Sequence, residues 1–442
     1  MATAGTVLLA TTPAQAQQDG WELEMANTPD RVDCATVTEG GESLNQRPWA
    51  KNFIGLDQAQ QYNRGVFETG SEEGEPVTIA VIDSGVAAER SDVFGSRLLE
   101  GYDWWDADSK GRCDSDGHGT AVAAIAAGGP VGGDGDFIGV APEANILPIR
   151  VFNGDSKEGG DDVKSRVVAG AILDAVAHDA DVINVSSAVV PTPALENAVA
   201  HAIANGVVIV AATGNENKHM DDRHIEADQQ TFYPANYPGV IAVGAHNEVG
   251  NWYAQTNFGT NIDLLAPGQN VAFPHASGDW RTDQGTSYAA PFVAGAAALL
   301  KGQFGAEATP AWIQKRLQET AIHPPNTFNI YQGHGVLNVA AALTAPHDES
   351  EVVSDTVSPE PTEDPSSLQP IIVEDRPSIA GLDPDYDPLG FEKTVAWASV
   401  GGSIVLIALV LVLRKVIPKG RRRGWRPGTR EPDHLPVKAA AD

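Results

Sequence analysis

Val81-Ile82-Asp83-Ser84-Gly85, Asp116-Gly117-His118-Gly119-Thr120 and Gly285-Thr286-Ser287-Tyr288-Ala289-Ala290-Pro291 decide how this chain is read. They supply an acid, a base and a nucleophile in the order Asp, His, Ser, each flanked by small residues. Asp83 closes an apolar run, and Gly85 lets the chain turn at once. A carboxylate there can hold an imidazole in one tautomer and stabilise the imidazolium. His118 opens a run of small, helix-compatible residues over 120–127, which lets a helix pack closely while the imidazole faces outward. Ser287 precedes a second small-residue helix over 288–300, where unpaired amides and the positive dipole end favour developing negative charge. Pro291 is expected in its first turn, where a missing N–H costs nothing. Asn215, in Ala211-Ala212-Thr213-Gly214-Asn215, follows a buried strand, and its amide can donate to an oxyanion beside the Ser287 N–H. Each motif alone has a plainer reading: a turn at Asp83, a surface or capping histidine at His118, an N-cap at Thr286 or Ser287, a turn dipeptide at Gly214-Asn215. Their joint occurrence points to nucleophilic acyl transfer.

Working outward, short Val/Ile-rich runs at 77–82, 145–152, 181–186, 207–211 and 240–244 read as buried strands. Residues 164–178 and 193–205 space their apolar side chains at helical intervals, and Asn205-Gly206 is a C-cap signal. Strand and helix alternating in this way predict an α/β fold with a mostly parallel, twisted sheet flanked by helices on both faces. The segment before it, 17–76, is an N-terminal extension with weak periodicity and an expected helix over 55–62.

The net charge of -30 excludes nucleic acid as an expected partner. It is unevenly spread: between Arg414 and Asp442 nine Lys/Arg face three Asp/Glu, a net of +6, which leaves -36 before them. Residues 1–16 hold a short apolar run ending in Ala14-Gln15-Ala16, a small-residue cleavage pattern without a basic start, so an export signal beginning upstream of Met1 is expected. Residues 346–393 are acidic and Pro-rich and read as an extended stalk. The nineteen uncharged residues 395–413 are long enough to span about 30 Å of hydrocarbon, so a transmembrane helix is expected over 394–413. The basic tail 414–442 then lies in the cytoplasm and the acidic bulk outside the cell membrane, by the positive-inside rule. The two cysteines, Cys34 and Cys113, suggest a bridge in an exported chain, with two buried thiols as the alternative.

From about residue 77 to 345 the chain resembles the subtilisin-family serine proteases. The Asp, His, Ser order is that of subtilisin. The closing Gly333-His334-Gly335-Val336-Leu337-Asn338 also fits the family. The resemblance implies that Asp83 orients, His118 is general base and then acid, Ser287 attacks and Asn215 stabilises the oxyanion, with a protein or peptide as substrate. Ser186-Ser187-Ala188-Val189 departs from the Gly-rich substrate-binding strand common in the family and implies a narrower or differently shaped pocket for the side chain before the cut bond. With its extension, Pro48-Trp49-Ala50, stalk, single span and basic tail, the chain is similar to the mycosins, membrane-anchored subtilases of type VII (ESX) secretion systems. That likeness implies a Cys34–Cys113 disulfide between extension and catalytic loop, an extension that stays attached, and a type VII membrane complex as partner.

No cofactor and no metal site is expected. His219, Asp221, Asp222, His224 and Glu226 carry metal-type side chains, but their spacing matches no zinc or calcium motif and reads as a polar loop. Gly132-Gly133-Asp134-Gly135-Asp136 resembles a calcium loop in composition only. Two other functions stand beside the endopeptidase: a structural subunit of a secretion complex, and a general surface-anchored subtilase.

Overall fold

Buried on both faces, the Val/Ile-rich segments need neighbours that satisfy their backbone and helices that cover their side chains. The computed structural model shows how both are met; it describes Cys34 and residues 48–68, 70, 74–132, 137–152, 161–222 and 224–346. Strands β1 (Thr78–Asp83), β2 (Tyr102–Asp103), β3 (Asn145–Arg150), β4 (Val182–Val185), β5 (Val208–Ala212), β6 (Ile241–His246) and β7 (Leu264–Pro267) form a seven-stranded sheet in the order β2-β3-β1-β4-β5-β6-β7. Every neighbouring pair is parallel. An antiparallel hairpin, β8 (Val271–Pro274) and β9 (Trp280–Asp283), stands apart from it.

The helices used below are α1 (Trp49–Phe53), α2 (Leu56–Ala59), α3 (His118–Ala127), α4 (Asp161–Ala177), α5 (Pro193–Ala204), α6 (Thr286–Phe304), α7 (Pro310–Thr320) and α8 (Val339–Thr344). Capping chemistry fixes several starts. Thr192 Oγ1 accepts from Leu195 N ahead of Pro193, and Thr309 Oγ1 accepts from Trp312 N ahead of Pro310. Alternate residues of β1 enter opposite cores. Ile79 and Val81 face the layer with α3 and α6, whereas Ala80 and Ile82 face the layer with α4 and α5. Leu299 and Leu300 of α6 are wholly buried, and each contributes about 1.5–3 kcal/mol by leaving water.

The extension differs from the single helix expected over 55–62. Its described residues form two short helices, α1 and α2, broken at Gly55. Gly55 takes φ +71°, and a side chain there would meet Ala340 Cβ at 2.9 Å. The pair packs on α8, with Val339 N donating to Ile54 O at 3.0 Å. Trp49 Nε1 donates to Asn270 O at 3.0 Å, just before β8. Cys34 and Cys113 are joined by a disulfide across 79 residues of sequence. Closing a loop of that length contributes about 4–5 kcal/mol in the chain-entropy account.

No helix among the described residues is long and apolar enough to cross a membrane. The segments expected as export signal, membrane span and cytoplasmic tail, and nearly all of the expected stalk, lie outside the described residues.

Candidate active site

The strand order reverses around β1: the chain moves to β2 and β3 on one side, then crosses to β4 on the other. A crevice opens at the carboxyl ends of the strands at such a switch point. Asp83 ends β1 there, His118 is the first residue of α3, and Ser287 is the second of α6.

Asp83 is buried, and its Oδ1 accepts from Ser84 N at 2.7 Å and from His118 Nδ1 at 2.8 Å. The approach is close because position 119 is glycine; a Cβ there would lie 2.1 Å from Gly85 O. Burial pulls the His118 imidazole down, but the Asp83 carboxylate, with help from Asp116 and Asp114, outweighs it and raises the ring to about 9. The side chain remains about a quarter exposed, open to a substrate.

Ser287 is the second residue of α6, and Gly285 is its N-cap. The N-cap alternative for Thr286 or Ser287 therefore does not hold. Thr286 instead orients Asn215: its amide and hydroxyl donate to Asn215 Oδ1 at 2.8 and 3.1 Å. That leaves Asn215 Nδ2 to point away. A Cβ on Gly285 would sit 3.3 Å from both Asn215 Nδ2 and Ser287 Oγ, so glycine keeps the space between them clear. An oxygen in that space can accept from Nδ2 and from the Ser287 amide at the helix start.

Pro291 is the sixth residue of α6, not part of its first turn. Its missing N–H leaves the Ser287 carbonyl without the usual acceptor role four residues back. Ser186 Oγ donates to that carbonyl at 2.8 Å and is itself held by Asn184 Nδ2 at 2.9 Å. A hydroxyl just past β4 thus repairs the helix and ties the 186–189 segment to the nucleophile. Ala188 Cβ stands 3.5 Å from where a Cβ on Gly214 would lie, so the two segments beside Asn215 approach closely.

Other residues around the site take roles that their motifs do not announce. Tyr288 packs its ring 5.2 Å from His118 and stacks on Phe273 of β8 at 5.0 Å, while its hydroxyl donates to Asp283 at 2.8 Å. Burial, then Asp283, push the phenol up from its ordinary value. Asp114, four residues before His118, is fully buried in the same loop; only the Asp-x-x-Gly-His spacing could have marked it. His219, Asp221, Asp222, His224 and Glu226 lie past Asn215 in a polar loop: Asp221 Oδ2 accepts from Thr260 N at 2.7 Å, and Asp222 Oδ1 accepts from His224 N at 2.9 Å. Among the described residues no group of three or more His, Cys, Asp or Glu could hold a metal ion.

A carboxylate on an imidazole, a serine at a helix start and an amide beside it define a serine peptidase. A model of the subtilase family matches residues 74–339, and the chain belongs to that family as a serine endopeptidase. It is 32% identical over 361 residues to mycosin-1 of Mycobacterium tuberculosis (strain ATCC 25618 / H37Rv), covering 72% of this chain and 78% of that one. It is 34% identical over 275 residues to subtilisin DY of Bacillus licheniformis, covering 61% of this chain and 92% of that one. Among solved structures it is similar to MycP1 from the ESX-1 type VII secretion system (29% identity, TM-score 0.60, 73% of this chain and 91% of that one). It is likewise similar to MycP1 with the N-terminal propeptide removed (30% identity, TM-score 0.58, 69% and 100%). The match to mycosins extends past the peptidase core that subtilisin shares.

Proposed function

We propose that the chain is a membrane-anchored, mycosin-like endopeptidase that cleaves exported proteins through an acyl-enzyme. The observation that carries this reading is the His118–Asp83 hydrogen bond at 2.8 Å, with the ring of Tyr288, next to Ser287 in sequence, 5.2 Å from the imidazole. In this mechanism His118 takes the Ser287 proton as Ser287 Oγ attacks the carbonyl carbon. Asp83 holds the ring and stabilises the imidazolium, and Asn215 Nδ2 with the Ser287 amide receives the oxyanion. His118 returns the proton to the leaving amine, and water releases the acid by the same route. The close approach of Ala188 to Gly214 supports a narrower or differently shaped pocket for the side chain before the cut bond. The uncharged segment at 395–413 supports a single membrane helix, with the catalytic part outside the cell.

A fluorophosphonate probe on the purified full chain tests the chemistry. Labelling is expected on wild type and absent in Ser287→Ala, whose kcat should fall about 10⁶-fold, the loss known for subtilisin itself. Labelling of both proteins would remove Ser287 from the role.

The similarity to MycP1, whose solved structure is described as an essential component of the type VII (ESX-1) secretion system, favours a second reading as a structural subunit of such a complex. Secretion that survives Ser287→Ala but not deletion of the chain would support it; equal defects would reject it.

A further inference from the structure

The loop that delivers His118 is built around a carboxylate with no part in the chemistry above. Asp114 is fully buried and accepts from both sides of the site. Its Oδ1 accepts from Ser84 Oγ at 2.9 Å, Gly117 N at 2.7 Å and Asp116 N at 3.1 Å. Its Oδ2 accepts from Thr120 N at 2.8 Å and Thr120 Oγ1 at 2.5 Å. The donors belong to two segments. Ser84 follows Asp83 in the turn after β1, whereas Gly117 and Thr120 flank His118 at the start of α3.

The two segments are cross-tied twice more. Ser84 Oγ, while donating to Asp114, accepts from Gly119 N at 2.9 Å. Thr120 Oγ1 likewise accepts from Ala87 N at 2.9 Å. Ser84, Asp114 and Thr120 are all buried, so water cannot replace any of them. Gly117, the N-cap of α3, has no side chain to satisfy the amides of the first turn. Asp114 does this from outside the helix, which frees His118 to turn toward Asp83. Burial pushes the Asp114 carboxyl up from the usual carboxylate range, and its donors offset that only in part. Such a group is expensive to keep unless the geometry it holds is needed.

We propose that Asp114 is a positioning residue which, bridged through Ser84, sets the separation and angle between Asp83 and His118. It acts through the histidine and touches no substrate, so the proposal rests on the assignment of His118 as the base. Asp114→Asn keeps the volume but replaces an acceptor by a second set of donors facing Ser84, Gly117 and Thr120.

The test combines kcat and KM on protein titrated for active sites with NMR observation of the His118 Nδ1–H proton and its titration. In Asp114→Asn, kcat should fall about 10²-fold, the cost of a misplacement near 1 Å, with KM within about threefold of wild type. The bridging proton should shift or broaden, and the His118 titration should move to lower pH with Asp83, Asp116 and Tyr288 unchanged around the ring. Ser84→Ala, which leaves the carboxylate in place, should show the same changes at roughly a tenth of the size in kcat. A merely structural role would lower thermal stability while leaving kcat per titrated site and the His118 proton as in wild type, and that result would overturn the proposal. Should Asp114→Asn not fold, wild-type kcat and a wild-type proton in Ser84→Ala would overturn it equally. The NMR arm does not depend on turnover, so loss of the peptidase assignment, seen as hydrolysis surviving Ser287→Ala, is told apart from failure of the positioning role.

Discussion

His118 and His246 are both sunk into the same layered fold, yet their surroundings drive them in opposite directions. At His118 burial disfavours the charged ring, but Asp83, Asp116 and Asp114 reverse the balance and lift it to about 9. His246 ends β6 beneath the extension, wholly buried, with its ring 4.7 Å from Phe53 and 5.6 Å from Trp49. Burial lowers it to about 4, and only the Asn247 carbonyl, 2.7 Å from Nδ1, opposes. Burial alone makes a neutral packing histidine; a carboxylate within hydrogen-bond reach makes a base.

Asp83→Asn breaks this contrast most severely. The amide presents the wrong partner to Nδ1, and kcat should drop about 10⁴-fold, roughly 5 kcal/mol of transition-state stabilisation. The acidic limb of kcat/KM should move down in pH as well, because burial then acts on His118 without its main opponent. Wild-type kcat/KM should accordingly rise with pH well beyond the ordinary histidine range. A variant within tenfold of wild type, with an unmoved limb, would show that Asp83 is not the orienting acid.

Stability against pH sharpens the same contrast. The folded pKa of His246 lies below its unfolded value of 6.5, so the folded state binds fewer protons between the two. Stability from its neutral form is present above pH 6.5 and is lost as pH falls through about 4, on the order of 3 kcal/mol. The sign for His118 is opposite: its contribution is full below 6.5 and is lost as pH rises through about 9. His246→Phe should therefore flatten the acid side of the unfolding free energy, and His118→Gln the alkaline side, in urea titrations at several pH values. An acid slope that His246→Phe leaves unchanged would assign it to other groups.

Much of this is legible in the sequence. Five strands are marked by runs of Val and Ile, the helices over 164–178 and 193–205 by apolar spacing and the Asn205-Gly206 cap, and those over 120–127 and 288–300 by small residues, because burial and capping act locally on the chain. β2 and β7 carry no such signal, for a physical reason. Tyr102–Asp103 is two residues long, and Leu264–Pro267 ends in a proline, so neither resembles a strand alone. The β8–β9 hairpin carries Trp280, Arg281, Thr282 and Asp283 with little apolar alternation. In the site, Asp83, His118, Asn215 and Ser287 stood in motifs with their glycines. Ser186, Tyr288 and Asp114 have roles that their own segments do not reveal, since what defines them is a partner far away in sequence: the Ser287 carbonyl freed by Pro291, the His118 ring, the Ser84 hydroxyl after β1.

The smallest effect belongs to the extension side of the comparison. Trp49 contributes a ring to the wall around His246 and one directed contact, Nε1 to Asn270 O at 3.0 Å. Trp49→Phe preserves an aromatic edge but removes the donor, and a typical intramolecular hydrogen bond contributes about 0.5–1.5 kcal/mol net. The variant should lose about 1 kcal/mol in urea unfolding while retaining kcat, because Asn270 precedes β8 and touches neither Ser287 nor His118 directly. Its second readout is the acid slope. If Trp49 only walls His246 from water, the slope should shrink as the ring gains solvent and its pKa moves back toward 6.5. A full 1 kcal/mol loss with an unchanged slope would mean that Phe53, nearer the imidazole at 4.7 Å, provides the desolvation by itself. A fall in kcat would couple the extension, through Asn270 and β8, to the stack of Phe273 on Tyr288 and so to His118.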